Sequence, residues 1–139
     1  MPSSNLWGVR VAEQRDVVRV LVVDDQPIFA QALRALLEAD ARIDVVGEAD
    51  TGAYALELAD ALQPDVVLVD VLMPGWDGLE ITRRLRSDHP RLRVVVVSGV
   101  SGGDVARDAL AAGADAFLLK GNLQDEIATA ILAAAERAD

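Results

Sequence analysis

The sequence has no cysteine and few aromatic residues, and both features narrow what the protein can be. Without cysteine, disulfides and thiol chemistry are excluded, and the absence is compatible with a cytoplasmic protein. Aromatic residues make up 4% of the chain and hydrophobic residues 52%, so the core must consist of Val, Leu, Ile and Ala. That composition suits helices packed against a parallel sheet.

The chain also lacks an excess of basic residues and any long apolar run. Its formal net charge is -10 at pH 7, so its own field would repel phosphates, and we expect no direct nucleic-acid binding by this domain. Charged residues interrupt every apolar run within a few positions, which predicts no membrane span. Its 139 residues suffice for one domain with a substantial core. We predict a cytoplasmic location.

The hydrophobic pattern divides the chain into two parts. Residues 1–16 have no clear period and predict a flexible N-terminal arm, with a tag or vector remnant as an equal alternative. Residues 17–139 alternate between apolar runs and amphipathic segments, which predicts one domain of strand–helix units. The predicted strands are Val18–Val23, Ile43–Gly47, Val66–Asp70, Leu92–Ser98 and Ala116–Leu119. The predicted helices are Pro27–Ala39, Gly52–Leu62, Gly78–Ser87, Asp104–Ala112 and Leu123–Ala138.

Repeated strand-then-helix units imply a parallel sheet with right-handed crossovers and helices on both faces. The first and third strands are the most continuously apolar, so we place them centrally, which favours strand order 2-1-3-4-5. The predicted fold class is therefore α/β, a flavodoxin-like (βα)5 doubly wound parallel sheet with its switch point between strands one and three. The predicted buried face of the first helix comprises Ile28, Ala32, Leu33, Leu36 and Leu37.

Carboxylates follow the two strands that flank the switch point. Asp24 and Asp25 follow the first strand and Asp70 ends the third, so the three should converge on one crevice. Like charges in contact raise each other's pKa, and a divalent hard cation such as Mg2+ (or Mn2+) relieves that conflict. Ser98 and Lys120 end the fourth and fifth strands. A carboxylate, a metal ion, a hydroxyl and an ammonium are the groups needed to receive a phosphoryl group.

Each of these residues also has a purely structural explanation. Asp24 and Asp25 are explained as caps of the first helix, and Asp70 as a turn residue. Ser98 is explained as a loop hydroxyl, and Lys120 as a solvated surface lysine.

Two loop segments also carry predictions. His89 precedes Pro90 after a predicted helix, and we expect it to be exposed and without function. Asp77-Gly78 is expected to be a turn and the start of a helix.

Four segments, each at a predicted strand end, resemble the receiver domain of two-component response regulators. The resemblance covers nearly everything from Val18 to Glu136. The segments are VVDDQP at 22–27, VDVLMPGWDG at 69–78, VSG at 97–99 and GADAFLLK at 113–120. The runs DQPIF at 25–29 and VVGEA at 45–49 are similar to the NarL/FixJ/LuxR-type branch, whose receivers usually precede a helix-turn-helix DNA-binding domain.

The resemblance implies a metal site and a phosphoryl acceptor. Asp70 would accept the phosphoryl group. Asp24, Asp25 and Asp70 would bind magnesium together with the backbone carbonyl of Leu72.

The resemblance also implies which groups contact the phosphoryl oxygens. These are the side chains of Ser98 and Lys120, helped by the backbone N–H groups of Leu72 and Gly99. Phe117 occupies the aromatic switch position, which moves inward as the Ser98 hydroxyl moves toward the phosphate. Because Phe117 lacks a hydroxyl, it would switch by packing alone, and a static core residue is the alternative.

The implied function is a phosphorylation-dependent signalling switch rather than an enzyme with an external substrate. A cognate sensor histidine kinase would supply the phosphoryl group, and an output DNA-binding domain or other partner would receive the signal, which implies transcription regulation. A homodimer on phosphorylation is a further expectation. Leu72 and Val100 are apolar where the family sets the rate of phosphoryl loss, which predicts slow autodephosphorylation.

Two other function classes compete with this one. A flavin-binding or phosphatase enzyme on the same scaffold is disfavoured, because Asp24-Asp25 repels a phosphate and Leu72 stands where a phosphatase needs a second acid. A receiver that ignores phosphate and acts as a constitutive interaction module is the remaining alternative. The chain is expected to be a piece of a longer protein, with a stand-alone regulator as the other option.

Overall fold

The structure, a computed structural model, describes residues 17–71, 78–99 and 103–136. The predicted arm at 1–16 lies outside these ranges. The strands are β1 Val18–Val23, β2 Ile43–Ala49, β3 Val66–Asp70, β4 Arg93–Ser98 and β5 Ala116–Leu119. The helices are α1 Pro27–Glu38, α2 Gly52–Leu62, α3 Gly78–Asp88, α4 Gly103–Ala111 and α5 Leu123–Glu136. A single 3-10 turn, Lys120–Asn122, connects β5 to α5.

The strands form one parallel sheet in the order β2-β1-β3-β4-β5, which confirms the predicted fold class. β3 and β4 are buried along their whole length, and β1 is buried from Val20 onward. The outer strands, β2 and β5, contain both buried residues and partly or fully exposed ones. Central burial on both faces is the reason that the inner strands are nearly pure valine and leucine.

The core consists of two layers, one on each face of the sheet. Because side chains alternate along a strand, Val20 and Val22 face one layer while Leu21 and Val23 face the other. The first layer takes its helical residues from α1 and α5, and the second from α2, α3 and α4. Among the described residues, no helix combines the length and apolarity needed to cross a membrane.

The predicted buried face of α1 is partly wrong. Ile28 is 84% exposed and Ala32 is also exposed, whereas the buried residues are Ala30, Leu33 and Leu37. The buried positions follow steps of three and four residues, the spacing of one helical stripe. At 100° per residue, roughly the α-helical value, Ile28 lies on the opposite side of α1 from Ala30.

Element boundaries differ from the predicted ones by one or two residues. β2 continues past Gly47 because Glu48 and Ala49 still pair with β1, opposite Val22 and Val23. α4 ends at Ala111, and Gly113 just after it has a φ of 112°, a left-handed conformation that glycine adopts without steric cost.

Candidate functional site

Asp24, Asp25 and Asp70 converge at the edge of the sheet where the parallel strands end, here called the site edge. Each contributes a carboxylate oxygen to a group whose atoms all lie within 4.8 Å of one another. Asp24 and Asp70 are buried, and Asp25 is half-buried. β1 and β3 are hydrogen-bonded neighbours, which is why Asp24 and Asp70, which are far apart in sequence, meet here.

The main chain holds the Asp24 side chain in place. The Asp24 N–H donates to the carbonyl of Ala49 at 3.0 Å, and Asp24 Oδ1 accepts from the Gln26 N–H at 2.8 Å. The N-cap residue of α1 is Gln26, and its side chain makes no capping bond. Capping of the first helix, the structural explanation of Asp24 and Asp25, therefore does not describe the observed geometry.

The second oxygen of Asp24 is buried without compensation. Asp24 Oδ2 has no hydrogen-bond partner among the described residues. Burial raises the pKa of Asp24 from 3.8 to about 6, assisted by the charges of Asp70 and Asp25 and opposed by the Gln26 hydrogen bond and Lys120. A buried carboxylate oxygen without a donor, in a residue that clusters with two other carboxylates, is available as a ligand atom, so the site fits a hard divalent cation.

Lys120 supplies a positive charge to the cluster. Its Nζ lies 3.2 Å from Oδ2 of Asp70, and its side chain is only 25% exposed. The same Nζ lies 4.2 Å from the centre of the Phe29 ring on α1. A Cβ added at Gly99 would lie 3.6 Å from Lys120 Cδ, so the lysine stem passes close to that backbone. The alternative of a solvated surface lysine is wrong.

Ser98 ends β4 at the same edge and is fully buried. Asp70 pairs with Val97 in the sheet, and the Val71 N–H donates to the Val97 carbonyl at 3.0 Å, so Ser98 lies one residue beyond the partner of Asp70. Gly99 follows it and is exposed. The strand pairing therefore fixes Ser98 beside Asp70.

Phe117 lies on β5 opposite Val96 and is half-buried. Its side chain packs against the core layer that includes α3 and α4. This packing fits the alternative of a core residue, and movement of Phe117 stays a prediction.

Two predicted site residues, Leu72 and Val100, lie outside the described residues. The carbonyl and N–H roles of Leu72, and the effect of both residues on phosphoryl loss, stay predictions.

Two residues that contact Asp70 or Lys120 received no role in the site from the sequence. A Cβ at Gly78 would lie 2.4 Å from the Asp70 carbonyl oxygen, and the Gly78 N–H donates to the Val71 carbonyl at 2.9 Å. The start of α3 therefore packs directly on the backbone that carries Asp70. The signal for this contact was a glycine at a predicted helix start. The other residue is Phe29, which the sequence showed only within the DQPIF run.

His89 differs from its prediction. It is half-buried, and its Nε2 lies 2.9 Å from Oδ1 of Asp60. His89 precedes β4, whereas the aspartate cluster lies where the strands end. It therefore lies at the opposite edge of the sheet from that cluster. It has a partner, although it takes no part in the site.

Comparisons with known proteins decide the family. Residues 20–132 match the family described as response regulator receiver domain. The chain belongs to the response regulator receiver family. The "Probable transcriptional regulatory protein NarL" of Mycobacterium tuberculosis (strain CDC 1551 / Oshkosh) is 41% identical over 126 residues, which are 91% of this chain and 58% of that protein. The receiver therefore spans little more than half of this relative.

Two solved structures support the same assignment. The signal receiver domain of the putative response regulator NarL from Mycobacterium tuberculosis has a TM-score of 0.82 at 41% identity, covering 87% of this receiver and 98% of that chain. A LuxR-family two-component response regulator from Aurantimonas sp. SI85-9A1 has a TM-score of 0.84 at 31% identity, covering 87% of this receiver and 86% of that chain. The predicted resemblance to the NarL/FixJ/LuxR-type branch is confirmed.

Proposed function

We propose that this receiver is a phosphorylation-dependent switch that accepts a phosphoryl group on Asp70 from a cognate sensor histidine kinase. The observation that carries the proposal is the placement of the Lys120 ammonium 3.2 Å from Asp70 Oδ2, beside two further carboxylates. A nucleophilic carboxylate with a fixed positive charge at its side suits a transferred group whose negative charge is spread over equatorial oxygens.

Asp24, Asp25 and Asp70 would bind Mg2+ (or Mn2+), with the Leu72 carbonyl as a further ligand. The orphaned Asp24 Oδ2 supports this assignment, since a bound cation would satisfy it. When bound, magnesium supplies positive charge that offsets the carboxylates and the incoming phosphoryl oxygens.

In the proposed transfer, an Asp70 carboxylate oxygen attacks the phosphorus of a phosphohistidine. The new O–P bond forms as the P–N bond breaks, and the leaving imidazole nitrogen keeps the bonding electron pair. Lys120 and the Ser98 hydroxyl contact the phosphoryl oxygens, with the N–H groups of Leu72 and Gly99 as further donors. Loss of the group would require attack by water, which the apolar side chains of Leu72 and Val100 orient poorly, so autodephosphorylation is slow.

The proposed output is transcription regulation through a DNA-binding domain or a partner protein in the cytoplasm. The names of the relatives support this output, since the Mycobacterium tuberculosis relative is called a probable transcriptional regulatory protein. On phosphorylation, Ser98 and Phe117 would change position and a homodimer would form.

The proposal is tested by intact mass after incubation with magnesium and acetyl phosphate. The wild type should gain one phosphoryl group, Asp70→Asn should gain none, and omission of magnesium should prevent the gain. Asp65→Asn is the matched control, because Asp65 precedes the same strand at its other end and accepts a bond from the Arg19 N–H. A wild type without the adduct would favour the constitutive interaction module, and an Asp70→Asn variant with the adduct would remove Asp70 as the acceptor.

A further inference from the structure

The Lys120 ammonium has two neighbours of different kinds. Asp70 Oδ2 lies 3.2 Å from it, and the face of the Phe29 ring lies 4.2 Å away, measured to the ring centre. An ammonium within about 6 Å of a ring centre is attracted by the negative face of the ring. Lys120 is therefore held by an ion pair and by a cation–π contact.

Phe29 is well placed to act on Lys120 because it also packs against the core. It lies in the first turn of α1, is half-buried, and packs against the core layer shared by α1 and α5. Leu36, two helical turns later on α1, packs against the same layer and is also half-buried. Core packing alone would make the two residues equivalent, but only the Phe29 ring is in contact with the Lys120 ammonium.

The two neighbours of Lys120 respond differently to phosphorylation. When Asp70 accepts a phosphoryl group, its carboxylate becomes an acyl phosphate, and the negative charge that attracts Lys120 moves outward to the phosphoryl oxygens. The Phe29 ring keeps its charge distribution throughout. The ring is therefore the constant partner of the ammonium while the anionic partner moves.

We propose that Phe29 is a positioning residue that holds the Lys120 ammonium where the transferred phosphoryl oxygens arrive, and so sets the rate of transfer to Asp70. This inference rests on the proposed function of Asp70 as phosphoryl acceptor. Phe29 acts through Lys120 rather than by contact with the phosphoryl group.

The first test compares phosphorylation rates by acetyl phosphate at saturating magnesium. Phe29→Leu, which keeps an apolar side chain but removes the ring, should slow phosphorylation about 3- to 10-fold, the range expected for a half-buried cation–π contact. Phe29→Tyr keeps the ring face and should restore most of the rate. The magnesium dissociation constant, measured by calorimetry, should stay within about twofold, since the metal ligands are other side chains.

Two controls separate positioning from general damage to the fold. Leu36→Ala should lower the melting temperature yet leave the phosphorylation rate of the folded protein within about twofold of the wild type. In a Lys120→Met background, Phe29→Leu should cause no further slowing, because the group that it positions is gone. A full effect in that background, or a failure of Phe29→Tyr to restore the rate, would overturn the inference.

A second measurement, by NMR, detects the contact between Phe29 and Lys120 without phosphorylation. The ring current of Phe29 should shift the Lys120 Hε resonances upfield, and Phe29→Leu should return them toward ordinary lysine values. If the wild type takes no phosphoryl group, the proposed function fails, and the shift alone still decides whether Phe29 positions Lys120. If phosphorylation is normal in every variant, only the inference fails.

Discussion

The two edges of the sheet both carry aspartates, but their surroundings differ. At the opposite edge, where β3 and β5 begin, Asp65 Oδ2 accepts from the Arg19 N–H at 2.9 Å. Asp115 Oδ2 accepts from the Val94 N–H at 2.9 Å and lies 3.6 Å from a guanidinium nitrogen of Arg86. These carboxylates are individually paired with donors, and they join neighbouring strands.

At the site edge, three carboxylates lie together, and Lys120 is the cation that the described residues bring into contact with them. One oxygen of Asp24 has no hydrogen-bond partner in the described ranges, and burial raises the pKa of that residue to about 6. The same residue type therefore stabilises the fold at one edge and costs stability at the other. Unpaired buried charge, rather than the aspartates themselves, distinguishes a ligand site from a structural one.

The largest change in the free energy of unfolding is expected from removing a paired carboxylate at the opposite edge. Asp115→Ala should lower the free energy of unfolding by about 2–3 kcal/mol, because the buried Val94 N–H loses its acceptor and Arg86 loses its carboxylate neighbour. Denaturant unfolding measures the change. Asp104→Ala, which removes an exposed carboxylate paired with Arg107 on one helix, is the control and should shift stability far less. Equal effects of the two substitutions would remove the distinction between the edges.

A smaller change in the free energy of unfolding, of opposite sign, is expected when a carboxylate is removed from the site edge. In metal-free protein with a chelator at pH 7.5, Asp24→Asn should raise the free energy of unfolding by about 1–2 kcal/mol. Asparagine keeps the acceptor for the Gln26 N–H and removes the buried charge. Magnesium should then stabilise the wild type but not the variant. A variant that is less stable than metal-free wild type would contradict the cost assigned to the unpaired charge.

The same residue gives this prediction a pH dependence. The pKa of Asp24 is about 6 in the folded protein against an ordinary 3.8, so the folded state binds the proton more tightly than the unfolded chain. The contribution of Asp24 to stability is therefore greatest at low pH and is lost as the pH rises from about 4 to above 6. Asp24→Asn should abolish this part of the pH profile.

The smallest change in stability is expected for a histidine–aspartate contact at the opposite edge that is open to solvent. His89 Nε2 lies 2.9 Å from Asp60 Oδ1, but the Asp60 side chain is 74% exposed. Asp60→Asn should change the free energy of unfolding by no more than about 0.5 kcal/mol, since solvent screens such pairs. A loss comparable to that of Asp115→Ala would show that exposure does not separate the strong pairs from the weak ones at this edge.

Much of the fold was predictable because its signals are local. Apolar runs marked the strands, and their relative apolarity placed β1 and β3 together, which brought Asp24 and Asp70 to one edge. The face of α1 was harder to predict, because its apolar residues lie on more than one side of the helix. Ile28 resembles a core residue in sequence, although the packing of α1 on the sheet leaves it exposed.

The site was predictable only as far as strand ends determine it. Asp70 and Lys120 could be placed near each other because both end parallel strands at the same edge. The contact of Phe29 with Lys120 depends on how α1 lies against the end of β5, which no periodicity specifies. The partner of His89 likewise comes from the packing of α2 beside the loop before β4.

Gly78 has a mechanical consequence for the acceptor strand. The start of α3 touches the Asp70–Val71 backbone so closely that a methyl group would not fit, and a main-chain hydrogen bond joins Gly78 to Val71. No side chain at Gly78 can change rotamer to absorb a displacement at this contact. A displacement of α3 along its axis would therefore move the end of β3 with it. In the same way, a displacement of the Asp70 backbone would be transmitted to the start of α3.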